Sequence, residues 1–182
     1  MTRQINVGGV LIGGGAPVSV QTMTNTDTRD VQATLSQIRA MADAGAEIVR
    51  VSVYDAACAE AVKALVAGSP VPLVADIHFD YRLAVKSVEN GIAKVRINPG
   101  NIGGEKNVRI LADCLKAHKV PVRIGVNSGS LEKDILKKYG GVTAEGMVES
   151  GLAHARMLED AGFYDIAISY KATDVRTMIE AV

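Results

Sequence analysis

The chain has 182 residues, 48% of them hydrophobic, with 20 basic and 20 acidic side chains, a globular composition sized for one domain or at most two. The net charge of zero offers no whole-chain attraction to nucleic acid or to an anionic membrane, so an anion site has to be built locally. No apolar run approaches the ~20 residues of a bilayer-spanning helix, and the start, MTRQINVGGV, lacks a secretory apolar core, which points to the cytoplasm.

In chain order, INVGGVLIG alternates around Gly8-Gly9 and reads as a small hairpin that could plug the bottom of a barrel. The GGG at Gly13 to Gly15 precedes a strand, not a helix, and reads as a turn. PVSVQTM is the first long strand, and TNTDTRD is a polar loop whose Asp30 can cap the helix VQATLSQIRAMADAG. EIVRVSV and the alanine-rich AACAEAVKALVA form the next pair. VPLVADIHF with DYRLAVKSVENG repeats the unit, as does AKVRINPG with EKNVRILADCLKAHK. VPVRIGVN leads into a longer helical segment, Leu131 to Gly162, which Gly140-Gly141 should split in two. YDIAISYK and TDVRTMIEAV complete a sixth unit.

Strands alternating with helices at roughly 25–35 residues per unit imply parallel strands with helical crossovers. Six such units suit either a doubly wound sheet or part of an eight-fold barrel, which takes ~250 residues when complete. The expected fold is an α/β, TIM-type (β/α) barrel, incomplete, with an N-terminal hairpin. Residues 1–182 form a single domain, and the sequence stops inside the sixth helix at Val182. Cys58 and Cys114 fall in helices without C-x-x-C spacing. They read as small buried hydrophobes and cannot supply the usual ligands of a zinc or iron–sulfur site.

Residues two apart on a strand share a face, and sorting the strands by parity gives one polar set. Arg50 and Ser52 share a face against Val49, Val51 and Val53. Asp76 goes with His78, Arg96 with Asn98, Arg123 with Gly125 and Asn127, and Ser169 with Lys171. The apolar sets belong under the helices, so the polar sets face the barrel axis, where a purely structural barrel would hold Val, Ile and Leu. Arg50, Arg96, Arg123 and Lys171 are expected toward the C-terminal strand ends.

Taken singly, each strand-end arginine also suits a local ion pair. Asp76 could neutralise one of them, and His78 could be a core histidine. Together, four cations and one aspartate leave an excess of buried positive charge, which costs several kcal/mol per unpaired group unless an anion is present. Guanidinium groups grip phosphate in bidentate fashion and lysine adds a point charge, so a diphosphate fits the surplus. NPGNIGGE places Asn101, Gly103 and Gly104 before a helix, and NSGS follows the fifth strand; both could present backbone N–H groups to an anion.

The strings VQTMTNTDTRD, RVSV, VADIHFDYRLA, RINPGNIG, RIGVNSGSLEKD and SYKATDV, in this order, closely resemble the 4-hydroxy-3-methylbut-2-enyl diphosphate synthases of bacterial isoprenoid synthesis, over essentially the whole chain. The resemblance implies reductive ring opening of 2-C-methyl-D-erythritol 2,4-cyclodiphosphate with loss of water, in the non-mevalonate pathway. It implies a substrate-binding barrel and a separate C-terminal domain whose [4Fe–4S] cluster is held by three Cys and one Glu. It also implies a homodimer in which the cluster domain of one subunit closes over the barrel of the other, with flavodoxin or ferredoxin as electron donor. Carried onto this chain, Arg96, Arg123 and Lys171 match diphosphate-binding positions, with Asn127 beside them. Arg50, Asp76 and His78 match polar positions lining the same pocket. The final barrel strands and the cluster domain have no counterpart in these 182 residues, and neither Cys58 nor Cys114 matches a cluster ligand. Full activity of this chain alone is therefore not expected. Two other readings are a non-catalytic phosphate-binding module and a sugar-phosphate lyase or isomerase barrel with Asp76 and His78 as acid and base.

Overall fold

Glycine and proline cut the sequence into short apolar runs and capped amphipathic segments, and each becomes one element. The structure, a computed structural model, describes residues 2–97 and 103–182. Strands β1 (Ile5–Val7) and β2 (Val10–Ile12) form the antiparallel hairpin, with Val7 opposite Val10. Its two-residue turn has Gly8 at φ +57 and Gly9 at φ +102, the positive pair that a tight hairpin of this hand demands. Gly8 has a second reason to be glycine: a Cβ there would come within 2.7 Å of the Pro72 side chain.

Six parallel strands follow in unbroken chain order: β3 (Gln21–Met23), β4 (Ile48–Ser52), β5 (Leu73–Ile77), β6 (Lys94–Ile97), β7 (Val122–Asn127) and β8 (Ile166–Lys171). Between them run α1 (Val31–Asp43), α2 (Ala56–Gly68), α3 (Tyr81–Glu89), α4 (Glu105–His118), and the pair α5 (Lys133–Tyr139) and α6 (Ala144–Asp160); α7 (Val175–Ala181) follows β8. A doubly wound sheet reverses its strand order at a switch point. This sheet never does, which leaves the barrel-type progression. Side-chain caps start most helices. Asp30, Asp55, Asp80, Thr143 and Asp174 each accept a hydrogen bond from a backbone N–H of the first turn. Gly140, at φ +70, ends α5 and makes the expected break in the fifth helical segment.

One strand is shorter than the sequence implies. PVSVQTM is β-like throughout, but only Gln21–Met23 pairs, and Val18 is almost fully exposed. Pro17 has no N–H to give a ladder, and among the described residues β3 has β4 alone as its neighbour.

The core lies where parity places it. Val49, Val51, Val53, Ala75, Ile77, Val95, Ile97, Val122, Ile124 and Val126 are buried against Ile38, Val62, Leu65, Leu111, Leu115 and Met147 of the helices. Each such side chain contributes about 1.5–3 kcal/mol by leaving water. On the opposite face, Ile5 and Val7 of the hairpin pack on Ile48 and Val74 near the N-terminal strand ends. The hairpin is therefore an apolar floor beneath the sheet's inner face.

Candidate functional site: a cationic pocket on the inner sheet face

With the outer face sealed by helices and the floor closed by the hairpin, the polar side chains of the strands share one space. Strand register brings them together. Asp76 lies opposite Arg96, Arg96 opposite Arg123, and Asn127 opposite Lys171.

Asp76 is the hub. It is 3% exposed, and its Oδ1 accepts from Arg96 Nη1 at 3.0 Å. Its other oxygen lies 3.5 Å from Arg50 Nε and 3.7 Å from His78 Nε2. Arg50 Nε also donates to the Met23 sulfur at 3.2 Å. Arg96 is itself 7% exposed and reaches across to β7, where a Cβ on Gly125 would fall within 2.8 Å of its Cζ. Glycine at 125 is what lets the guanidinium lie flat against the neighbouring strand.

Arg123 forms no ion pair with a carboxylate among the described residues. Its Nε donates to Ser169 Oγ at 2.8 Å, and its pKa is pushed below the ordinary guanidinium value, first by burial and then by repulsion from Arg50 and Arg96. Lys171, at the end of β8, is exposed, and its side chain has no hydrogen bond or ion pair with another described residue.

The sequence expectation placed all four cations toward the C-terminal strand ends. Arg123 departs from this. It is the second residue of β7, lower than Asn127, and the stagger between strands sets it level with Arg96. Asn98 and Asn101 lie outside the described residues. Gly104 caps α4 without a side chain, and Ser128–Ser130 form a single 3-10 turn.

Two interior groups escaped the sequence reading. Lys94 is 2% exposed, and its Nζ donates to Gln21 Oε1 at 3.0 Å from across the sheet interior. Burial, followed by the charges of Arg123 and Arg50, brings its pKa down to about 8. The signal was present, since Lys94 is two residues before Arg96 and shares its face. Gln21 could not be found alone, because only the fold sets it beside Lys94. Among the described residues, five inward cations (Arg50, Lys94, Arg96, Arg123 and Lys171) therefore share one inward carboxylate, Asp76.

The two thiols do not suit an iron–sulfur cluster. Cys58 is fully buried in the core on α2. Cys114 is on α4 with its sulfur 4.0 Å from the Val85 carbonyl oxygen, and burial raises both pKa values. No group of three or more His, Cys, Asp or Glu side chains among the described residues is arranged to hold a metal ion.

Fold and site together define a parallel α/β barrel domain with a cation-rich inner face. The family model for the GcpE TIM-barrel domain matches residues 2–182, and the chain belongs to that family. It is 57% identical over 180 residues to a protein of Ruminiclostridium cellulolyticum, and 58% identical over 180 residues to one of Magnetococcus marinus. Both are named 4-hydroxy-3-methylbut-2-en-1-yl diphosphate synthase (flavodoxin). The alignments cover 99% of this chain but 51% and 48% of those proteins, so the chain spans about half their length. Among solved structures, dihydropteroate synthase of Vibrio fischeri superposes with a TM-score of 0.65 at 11% identity, over 92% of this chain and 66% of the other. That of Yersinia pestis gives 0.62 at 15%, over 91% and 62%. At such identities the likeness is one of fold alone.

Proposed function

We propose that this chain is the substrate-binding barrel of an oxidoreductase that opens 2-C-methyl-D-erythritol 2,4-cyclodiphosphate reductively to (E)-4-hydroxy-3-methylbut-2-enyl diphosphate. The observation that carries the reading is the excess of cations over carboxylate on the inner sheet face. Family membership and the name its relatives share support the same substrate class.

In this reading each residue has a physical task. Arg123 and Lys171 have no carboxylate partner and bind the diphosphate oxygens directly, with Asn127 beside them on β7. Arg50 contributes its guanidinium from β4. Arg96 is held by Asp76, so it arrives pre-oriented and loses little rotamer freedom on binding. Asp76 keeps the arginines apart and fixes their directions, and His78, partly exposed at the rim, borders the pocket. The floor made by Ile5 and Val7 keeps water from entering below.

The electrons come from outside this chain. Its thiols do not fit a cluster, so we assign the [4Fe–4S] centre to a C-terminal domain beyond these residues. In this scheme flavodoxin or ferredoxin is the donor, the complete enzyme is a homodimer and the compartment is the cytoplasm. None of the helices among the described residues is long and apolar enough to cross a membrane.

The test is to assay this chain for reductive ring opening with dithionite, alone and with the remaining half of a relative supplied as a separate chain. No turnover alone and partial recovery on mixing is the expected result. Turnover by this chain alone, or stoichiometric iron within it, would contradict the division of labour.

A further inference from the structure

Among the described residues, Lys94 is the one interior cation with neither a counter-ion nor access to solvent. One of its three N–H donors meets Gln21 Oε1. The groups around it are cationic or already committed. Arg96 is two residues along its own strand and is tied to Asp76. Arg50 on β4 and Arg123 on β7 both repel it. On β5 its register partner is the apolar Val74, and both Asp76 oxygens are engaged by Arg96, Arg50 and His78. The hairpin below offers Ile5 and Val7. Asp165, just before β8, turns away to Arg3 at 2.9 Å. Nothing in this surrounding cancels the lysine's charge.

Resting on the diphosphate-pocket reading above, we propose that Lys94 is the proton-exchanging member of the pocket. In alkaline solution, anion binding against Arg50 and Arg123 is accompanied by uptake of a proton from solvent onto the Lys94 Nζ, so that the site there takes its ligand as anion plus proton.

The electrostatic logic is direct. In the empty pocket, burial and two neighbouring guanidiniums disfavour the ammonium form. An anion seated between those guanidiniums cancels their repulsion and adds attraction, at separations where the low interior dielectric keeps charges strongly coupled. Occupancy therefore favours the ammonium. By linkage, binding is tightest below the free-protein titration midpoint and weakens as pH rises through it. Lys94 thus makes affinity depend on pH in the physiological-to-alkaline range, where arginine does not titrate.

The experiment is a side-chain NMR titration of the chain carrying carbon-13 at the lysine Cε, with Lys94 identified by the signal lost in Lys94→Met. The probe is methyl diphosphate, whose last ionisation lies below the alkaline range. In the free protein the Lys94 midpoint is expected near 8. Saturating methyl diphosphate is expected to raise it by about one unit or more, each unit being roughly tenfold in coupling. Calorimetry at a pH above that midpoint, in two buffers of different ionisation enthalpy, is expected to show net proton uptake in the wild-type chain and none in Lys94→Met. Binding with an unmoved midpoint, or proton uptake that survives Lys94→Met, would overturn the inference and leave the diphosphate pocket standing. Failure of methyl diphosphate to bind the wild-type chain would overturn both.

Discussion

Gly125 of β7 lies beneath the Arg96 guanidinium of β6, so closely that a methyl group in its place would overlap Arg96 Nε and Nη2 and lie within 2.8 Å of Cζ. A backbone position with no side chain is thus what holds the pocket's most buried arginine in place, against the carboxylate of a third strand.

Gly125→Ala is therefore expected to act at a distance of one residue. The backbone at 125 has no positive φ, so alanine adds no strain of its own. The added methyl has to displace the guanidinium and lengthen its contact with Asp76. Diphosphate affinity should fall by about tenfold or more, with thermal stability reduced by roughly 1–3 kcal/mol for overpacking. Calorimetric affinity together with chemical denaturation checks both. Wild-type values in both would show that Arg96 has free room to move.

Arg96→Ala and Lys171→Ala should separate stability from binding. Removing Arg96 leaves Asp76 buried without its closest partner, at a cost of about 3–5 kcal/mol. Lys171 is exposed, and its loss should leave stability within about 0.5 kcal/mol. Both variants should bind diphosphate more weakly. Denaturant midpoints and binding isotherms on the two proteins measure the split. A Lys171→Ala protein as destabilised as Arg96→Ala would mean that Lys171 has a structural role.

The arginines were legible in the sequence because strand parity needs no knowledge of the fold. Arg50 and Arg96 each stand two residues from another polar group, Arg123 stands four from Asn127, and all three are flanked by β-branched apolar residues. The hairpin was legible too, since Gly8-Gly9 between alternating residues has few other uses. What parity cannot supply is register. That Asp76 would lie opposite Arg96, or that Gln21 would reach Lys94, depends on how far each strand is shifted against its neighbour. Lys94 shares the parity of Arg96 but opens its strand, and parity alone does not tell a buried strand start from a solvated one. The length of β3 was misread for a related reason: Val18 and Val20 favour a strand, but pairing stops at Gln21.

Lys94 also makes stability depend on pH with a definite sign. Its folded-state pKa of about 8 lies below the ordinary lysine value of 10.5, so the unfolded chain binds more protons between those limits. Stability should therefore carry the full penalty below about pH 8 and rise as pH climbs toward 10.5, by up to about 3 kcal/mol from this group. Lys94→Met should lack that rise and be more stable than wild type at neutral pH. Denaturation of the two proteins between neutral and alkaline pH gives the comparison. Parallel stability curves would show that Lys94 is not held as a buried cation.

Replacing the hub should change how strongly the protein responds to ligand. Asp76→Asn removes the only inward carboxylate among the described residues and leaves Arg50 and Arg96 unneutralised. The free protein should lose roughly 3–5 kcal/mol. Added diphosphate should then raise its melting temperature by more than it raises that of the wild type, because the anion binds only the folded state. Equal shifts in both proteins would place the anion away from Asp76 and its arginines.

The central claim is that this face of the barrel grips a diphosphate through more cations than its one inward carboxylate among the described residues can neutralise. Its most direct test is a calorimetric titration of 2-C-methyl-D-erythritol 2,4-cyclodiphosphate into the wild-type chain, Arg123→Ala and Lys171→Ala, each at low and high salt. Each substitution is predicted to cost roughly 1.5–3 kcal/mol, about tenfold to more than a hundredfold in Kd, and wild-type binding is predicted to weaken as salt rises. Equal affinity in all three proteins, unaffected by salt, would contradict the account.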